Sequence, residues 1–522
     1  MHRIWKVIHI ADISFFVILL TLLSLSDVLR YVIAGLYRYA VLLFLFYYLC
    51  SWLICKLIGL INIHWIVNGI KFVILFVVAM QLSIDLFCLT TDIPFNYHIA
   101  ELIFATNPNE ILEFFRFYVP AWLVLTIIIC LILLFCIYKL CQKSGSYSPI
   151  MAKIEGGVFL LSCVACLHYT GLWQDSVVAR LMLYSQVDYP RDLRECLIHP
   201  NLSIRNSACM PHDIIVVMGE SYARGHSSLY GYRLNTCPYL SALHDNGSLV
   251  VYNNVSSAEL ITSQSFKCMM SSYKPEFGNN PHWYECVTIP EVFNLSGYTT
   301  VWISNQIKTG IIDNVVGRYA ELCDTSIFIN PNFVEKQEYD GKLVPIIRKE
   351  IVRQKDKPCL WIIHLMGSHD VFKERYPQTF LRFTEADYYS IPDYQRTMMA
   401  EYDNSVAYND SIVSDILHLF DRNDAVAFYL SDHGLDIYDS DNKYIGHGRA
   451  GNKISEAVGR DIPFMIYQTP LFLQQHLEQV EKIRKNRMKS FRTDNLIYTL
   501  MDVAGIDFKD NNDVTRYSLF NE

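Results

Sequence analysis

The sequence predicts an N-terminal five-helix transmembrane domain followed by a C-terminal α/β domain with a central, mostly parallel sheet. The chain has 522 residues, of which 52% are hydrophobic, and the apolar excess lies mainly in the first third. From residue 211 onward, short β-branched runs alternate with amphipathic segments, a pattern typical of α/β domains. The net charge of −8 and the lack of a basic run argue against a nucleic-acid partner.

Five apolar stretches in the first third are each close to the roughly 20 residues that cross the hydrocarbon core of a bilayer. We do not expect the first stretch to be a cleaved signal peptide, because no clear small-residue cleavage site follows it. The first span is among the less purely apolar ones, because it contains Asp12 and Asp27. The predicted spans are about 8–29, 33–58, 66–88, 118–138 and 154–173.

Lysine and arginine residues indicate which side of the membrane each loop faces. Arg3 and Lys6 precede the first span and lysines lie between spans four and five, whereas the loop at about 89–117 is acidic. This pattern predicts a cytoplasmic N-terminus, with everything after about residue 175 on the opposite side. The predicted organisation is a transmembrane domain over 1–175, a connector over 176–210 and an outer domain over 211–522.

The outer domain contains five short apolar runs that predict buried strands, since they are bounded by polar residues, glycine or proline. The strands are expected at Ile214–Met218, Thr299–Ile303, Cys359–Leu365, Ala425–Leu430 and Pro463–Tyr467. The helices are expected near 236–245, 288–295, 341–354, 399–421 and 492–503.

Two of these strands end in polar clusters that predict a metal site. The first ends at Gly219-Glu220-Ser221, and the second ends at Ser431-Asp432-His433-Gly434. Ligands of open α/β sheets bind at the carboxyl ends of strands, so Glu220, Asp432 and His433 are candidate ligands of one ion. Carboxylates and imidazole together suit zinc. The alternative is that Asp-His-Gly forms an ordinary turn.

Four separated motifs, together with the predicted spans, resemble the phosphoethanolamine transferases of the alkaline phosphatase and sulfatase superfamily. The resemblance covers nearly the whole chain and implies a sulfatase-like outer domain. The motifs are Glu220 with Tyr230-Gly231-Tyr232, the block Ala258–Cys268, the block His364-Leu-Met-Gly-Ser-His369, and Ser431-Asp-His-Gly434.

The resemblance implies that Thr262 is a nucleophile, because the family has a threonine six residues before the cysteine that matches Cys268. It implies a zinc ion held by Glu220, Thr262, Asp432 and His433, with a second zinc ion as an open alternative. The implied reaction transfers phosphoethanolamine from phosphatidylethanolamine to lipid A, lipopolysaccharide core or a periplasmic glycan. The implied location is the bacterial inner membrane, with the catalytic domain in the periplasm.

Four further residues match substrate-binding positions of this family. His369 and His447 match histidines that contact the phosphoryl group or a second metal, and either could instead be a general acid or base. Asn305 matches a substrate-binding asparagine. Glu110 matches a residue near the lipid headgroup, although an acidic loop residue in solvent explains it equally well. His364, at the end of an apolar strand, fits a core histidine.

The sequence departs from the family directly after Asp-His-Gly, where Leu435 replaces a frequent glutamate and Asp436 follows. Two other functions stay open: a related transferase that uses another headgroup, such as glycerol phosphate, and a non-catalytic membrane protein with a binding domain. A sulfatase activity is disfavoured, because Cys268-Met-Met-Ser-Ser lacks the proline and arginine of the sulfatase activation sequence.

Overall fold

The described residues of this computed structural model fall into two compact units, one with the described residues up to 181 and the other with those from 196 onward. The predicted fourth span, 118–138, lies outside the described residues, as does Glu110. The structure describes residues 12–33, 35–91, 149–168, 202–206, 211–277, 281–308, 315–330, 338–441, 444–448, 452–509 and 513–521, with residues 181, 196 and 199.

The first unit consists of long apolar helices. Helices α1 (Ile13–Ile33), α2 (Tyr37–Ile58) and α3 (His64–Thr91) are each long and apolar enough to cross a membrane. Helix α4 (Pro149–His168) overlaps the predicted fifth span but begins earlier. Three of the predicted spans are therefore confirmed in length and composition, while the count of five is not.

Polar side chains inside this first unit are paired with one another. Asp27, which interrupts the first apolar stretch, is buried and accepts a hydrogen bond from Tyr47. Asp85 accepts hydrogen bonds from Gln81 at 3.0 Å and from Ser26 at 3.2 Å. Such pairing between helices is expected, because an ionisable group in hydrocarbon is costly without a partner.

The second unit contains a sheet of seven strands in the order β3-β11-β8-β2-β7-β5-β6. Six strands run in one direction and β11 runs opposite to both neighbours, so the sheet is mixed and mostly parallel, as predicted. All five predicted strands are present, while β3 and β6 were not predicted. The seven strands are β2 (Asp213–Gly219), β3 (Leu249–Tyr252), β5 (Thr299–Ile307), β6 (Thr325–Asn330), β7 (Cys359–His364), β8 (Ala425–Ser431) and β11 (Phe464–Gln468).

Three small two-stranded sheets and eleven helices complete the described part of this unit. The longest helix, α10, begins at Asp393 directly after Pro392, earlier than the predicted 399. The short strands are β1 (Ile204–Asn206), β4 (Val255–Ser256), β9 (Asp436–Ile437), β10 (Ile445–Gly446), β12 (Phe491–Arg492) and β13 (Ile506–Phe508). The helices are α5 (Pro238–Asp245), α6 (Thr262–Met269), α7 (Ile289–Leu295), α8 (Val315–Glu321), α9 (Leu343–Gln354), α10 (Asp393–His418), α11 (Lys453–Arg460), α12 (Pro470–Gln475), α13 (Leu477–Lys485), α14 (Leu496–Ala504) and α15 (Asp513–Tyr517).

The central strand β2 is buried on both faces, as its continuous β-branched run predicts. Ile214, Val216 and Met218 pack into the core on one face, and Ile215 and Val217 pack into the core on the other. The strand lies between β7 and β8, parallel to both. In this register Gly219 pairs with Ser431, so β2 and β8 end at the same level, side by side.

Candidate metal centre

Glu220, Asp432 and His433 meet where β2 and β8 end. Their ligating atoms all lie within 4.8 Å of one another. The Nε2 atom of His433 is 3.3 Å from Glu220 Oε1 and 3.3 Å from Asp432 Oδ2. All three side chains are at most 1% exposed. The sequence prediction that these residues converge is thus matched by the geometry, because the strand register brings residues 212 positions apart into contact.

Thr262 lies against this cluster at the first position of α6. Its hydroxyl oxygen is 3.1 Å from Glu220 Oε2 and 3.2 Å from His433 Nε2. The threonine is half-buried, whereas the three other side chains are buried, so it is the most accessible member of the group. The four predicted metal ligands therefore lie together, with a hydroxyl on the exposed side.

Hydrogen bonds orient the candidate ligands. His433 Nδ1 lies 2.9 Å from the carbonyl oxygen of Gly434, which leaves Nε2 directed at the carboxylates. Asp432 Oδ1 accepts from the backbone N–H groups of His433 at 2.7 Å and of Ser221 at 3.2 Å. Within the described part of the chain, no group gives a well-directed hydrogen bond to the buried Asp432 Oδ2. This second carboxylate oxygen is therefore available to a cation.

The electrostatics of the cluster also favour a bound cation. Burial, together with the nearby charge of Glu220, raises the pKa of Asp432 to about 7. Burial disfavours the charged form of His433, but Asp432 and Glu220 outweigh it and raise its pKa to about 9. Two buried carboxylates thus favour a positive charge beside them, which a divalent ion can supply. The oxygen and imidazole donors fit zinc chemistry.

The three histidines near the cluster occupy different environments. His447 follows the β9–β10 hairpin, and its ring centroid is 4.6 Å from that of His433. Burial and then the charge of His433 lower the pKa of His447 to about 3. His369 is half-buried, with Nδ1 2.8 Å from the carbonyl oxygen of Asp370. His364 is fully buried and packs against Phe266, which matches its interpretation as a core histidine.

Asn305 is buried, whereas a residue that contacts the substrate would be expected to have some exposed surface. It is fully buried on β5, and its amide nitrogen donates to Glu338 O and to Asp340 Oδ1, both at 2.8 Å. Its side-chain oxygen accepts from Asn330 at 2.7 Å. The amide is therefore engaged within the protein, and its predicted role in substrate binding stays a prediction. Glu110, which lies outside the described residues, also stays a prediction.

The residues that replace the frequent glutamate of the family lie outside the metal cluster. Leu435 is buried in the hydrophobic core. The carboxylate of Asp436 accepts hydrogen bonds from Ser455 Oγ at 2.6 Å and from the backbone N–H of Ser440 at 3.1 Å. Asp436 thereby ties the β9–β10 hairpin, which leads to His447, to helix α11. The segment before His447 therefore contains the antiparallel pair of β9 and β10, held by these contacts of Asp436.

The sequence argument missed the loop that supports Glu220 from the β7 side. Asp340 accepts hydrogen bonds from the backbone N–H groups of Met366 at 2.8 Å and Gly367 at 2.9 Å. The next N–H, that of Ser368, donates to Glu220 O at 2.9 Å. Gly367 has a φ of 55°, and a Cβ there would lie 2.7 Å from Glu220 N. The sequence signal that could have revealed this close approach was Gly367, which lies between His364 and His369.

Comparison with known proteins agrees with this geometry. The profile of the Sulfatase family matches residues 212–506, more than half of the chain, so the chain belongs to the sulfatase family, a family of enzymes. Several of its relatives are named phosphoethanolamine transferases. EptC of Escherichia coli O18:K1:H7 is 29% identical over 318 residues, 59% of this chain and 53% of EptC. CptA of Salmonella typhimurium is 28% identical over 323 residues, 60% of this chain and 54% of CptA.

Solved structures of phosphoethanolamine transferases share the fold of this chain. The C-terminal periplasmic domain of Escherichia coli EptC, in complex with Zn, matches at 25% identity with a TM-score of 0.55, over 62% of this chain and 90% of that domain. The integral membrane protein EptA of Neisseria meningitidis shares the fold over 98% of both chains, with a TM-score of 0.69 and 17% identity. The resemblance predicted from the motifs is thus confirmed, although the matched curated relatives are covered over only about half their length.

We expect Gly367→Ala to destabilise the protein more than Gly247→Ala. Both glycines have positive φ, so both substitutions carry the left-handed cost of about 1–2 kcal/mol. A Cβ at Gly247 has nothing within 4 Å, whereas a Cβ at Gly367 collides with the backbone of Glu220. Thermal melting of the two variants tests this, with a larger fall in melting temperature expected for Gly367→Ala than for Gly247→Ala, and with reduced zinc content expected for Gly367→Ala alone. Equal melting temperatures would show that the contact with Glu220 is unimportant.

Zinc binding to the metal-free protein should release protons. With a pKa of about 9, His433 is protonated at neutral pH, and zinc binds only the neutral imidazole. The apparent zinc affinity should therefore rise with pH up to about 9. Titration calorimetry in buffers of different ionisation enthalpy measures the number of protons released. At neutral pH we expect at least about one proton per zinc ion bound. An affinity that stays constant from about pH 6 to pH 9 would contradict the proposed ligand set.

Proposed function

We propose that the chain transfers phosphoethanolamine from phosphatidylethanolamine to a cell-envelope acceptor through an intermediate on Thr262. The observation that carries this proposal is the contact of the half-buried Thr262 hydroxyl with both Glu220 and His433. A hydroxyl held on a metal-ligand cluster is the arrangement that an activated alcohol nucleophile requires. The sulfatase-family domain and the names of the relatives support the same reaction class.

The proposed cofactor is one zinc ion held by Glu220, Thr262, Asp432 and His433. When bound there, zinc supplies a Lewis acid that lowers the pKa of the threonine hydroxyl and offsets the charge of the phosphoryl oxygens. The Zn complex of the EptC periplasmic domain supports the choice of metal. A second ion near His369 and His447 stays part of the proposal as an alternative.

In the first step, the Thr262 oxygen attacks the phosphorus atom of the donor lipid. The bond from phosphorus to the diacylglycerol oxygen breaks, and the phosphoethanolamine group becomes an ester of Thr262. The threonine proton leaves toward Glu220 Oε2, which lies 3.1 Å from the hydroxyl oxygen. The diacylglycerol oxygen takes up a proton as it departs, for which His369 is the candidate donor. His447 is neutral near pH 7, because its pKa is lowered to about 3, and its proposed role is to contact the phosphoryl group.

In the second step, a hydroxyl or phosphate oxygen of the acceptor attacks the same phosphorus atom, and the bond from phosphorus to the Thr262 oxygen breaks. A hydroxyl acceptor gives its proton to His369, and Glu220 returns the proton it took up to the Thr262 oxygen. The rigid placement of the buried ligands serves both steps, because phosphoryl transfer depends mainly on positioning and charge stabilisation. His369, His447, Asn305 and Glu110 are the proposed substrate-binding residues. For Glu110 and Asn305 the proposal rests on the sequence resemblance.

The proposed setting is the bacterial inner membrane, with a cytoplasmic N-terminus and a periplasmic catalytic domain. The three apolar helices of the first unit support a membrane protein. The acceptor class includes lipid A, lipopolysaccharide core and periplasmic glycan. Relatives named Kdo(2)-lipid A phosphoethanolamine 7''-transferase, such as that of Escherichia coli K12 at 24% identity over 265 residues, support an acceptor of this class.

We expect Thr262→Ala to lower transfer from labelled phosphatidylethanolamine by about a thousandfold or more, because the attacking oxygen is lost. Thr262→Ser should keep part of the activity, since it retains the hydroxyl. Ser263→Ala is the matched control, because Ser263 is the second residue of the same helix and its buried Oγ has no hydrogen-bond partner among the described residues. The control should transfer at the rate of the wild type.

The assay uses the purified full-length protein in lipid–detergent micelles, with lipopolysaccharide as acceptor. Full activity of Thr262→Ala would refute the proposed nucleophile. Transfer from phosphatidylglycerol in place of phosphatidylethanolamine would refute the proposed donor and favour a glycerol phosphate transferase.

A further inference from the structure

The backbone turn that carries Glu220 contains a residue in an unfavourable conformation. Ser221, directly after Glu220, has a φ of 55°, in the left-handed region that non-glycine residues seldom occupy. Such a conformation persists only where the surrounding structure holds it, and it is common at functional sites. The contacts that hold Ser221 therefore bear on the geometry of the metal site.

The hydroxyl group of Tyr402 bridges the two peptide groups that follow Ser221. It donates a hydrogen bond to the carbonyl oxygen of Ser221 at 2.8 Å and accepts one from the N–H of Ala223 at 2.9 Å. Tyr402 is fully buried and lies on helix α10, 181 residues further along the chain. A single side-chain oxygen thus joins both ends of the strained turn.

The ring of Tyr402 is itself fixed in place. The ring of His226 and that of Phe372 each contact it edge-on, with centroid distances of 5.0 Å. The neighbouring Asp403 lies 2.6 Å from His226 Nδ1 and accepts a hydrogen bond from Tyr232 at 2.7 Å. Because these groups pack around the ring, Tyr402 loses little conformational entropy when its hydroxyl hydrogen-bonds to the turn.

The position of Ser221 in turn sets the orientation of the Glu220 carboxylate. Ser221 Oγ donates to Glu220 Oε1 at 2.8 Å, and this leaves Oε2 facing the hydroxyl of Thr262. The N–H of Ser221 also donates to Asp432 Oδ1. If the turn relaxed toward the right-handed region, both carboxylates would lose a contact that orients them.

We propose that Tyr402 is a positioning residue of the metal centre, whose hydroxyl holds the left-handed turn at Ser221 and thereby fixes Glu220 as a ligand. Tyr402 touches neither substrate nor metal and acts through the backbone of residues 221–223. The inference rests on the proposed function in one respect, because that proposal supplies the zinc ion that Glu220 binds. It adds a residue that belongs to none of the sequence motifs.

The test compares Tyr402→Phe with Tyr252→Phe in the full-length protein. Phenylalanine keeps the ring contacts, so both variants should fold. Tyr252 is a matched control, because it is equally buried and its hydroxyl donates one hydrogen bond, at 2.7 Å, to the carbonyl oxygen of Ile483 in the core. Zinc dissociation constants are measured by competition with a chelating indicator, and thermal melting of the metal-free proteins is followed in parallel.

We expect Tyr402→Phe to weaken zinc binding by about tenfold or more, as is typical when an outer contact of a metal ligand is lost. Tyr252→Phe should bind zinc as the wild type does, while both variants melt at somewhat lower temperatures. Unchanged zinc affinity in Tyr402→Phe, or equal weakening in both variants, would overturn the inference, as would a wild type that binds no zinc. Weaker zinc binding in Tyr402→Phe alone would uphold the inference even if the wild type transferred no phosphoethanolamine.

Discussion

The structure of the sulfatase-family domain depends on one constraint: two carboxylates and an imidazole are buried together where two parallel strands end. The buried carboxylates of Glu220 and Asp432 favour a positive charge beside them, and together they raise the pKa of His433 in spite of its burial. The cluster exists because β2 and β8 pair in a register that places Gly219 beside Ser431. The half-buried Thr262 then adds the one accessible oxygen, and the proposed chemistry follows from that placement.

The backbone around the cluster is shaped to keep these ligands in place. Gly367 approaches the peptide of Glu220 so closely that no side chain fits, and the hydroxyl of Tyr402 hydrogen-bonds to both ends of the following turn. Gly434 is required for space as well, since a Cβ there would lie 2.8 Å from the carbonyl oxygen of Val458. Rigid ligands of this kind suit a reaction that depends on positioning.

Much of the fold and the centre of the site follows from local sequence patterns. The buried strands are continuous apolar runs, and because parallel strands end at one edge of the sheet, their terminal polar residues could be expected to meet. Strand β6 was missed because its side chains are mostly half-buried and its apolar run is weak. Asp340 and Tyr402 were missed because they act on residues 26 and 181 positions away, through contacts that no local pattern encodes. The assignment of Thr262 over nearby serines came from the family resemblance.

The central claim is that the Thr262 oxygen carries the transferred group. The most direct measurement is mass spectrometry of the Thr262 peptide from wild-type protein purified from membranes that contain phosphatidylethanolamine. The account predicts a peptide heavier by one phosphoethanolamine group, with fragment ions that place the group on Thr262. A peptide that is unmodified in protein that transfers phosphoethanolamine, or a modification placed on another residue, would contradict it.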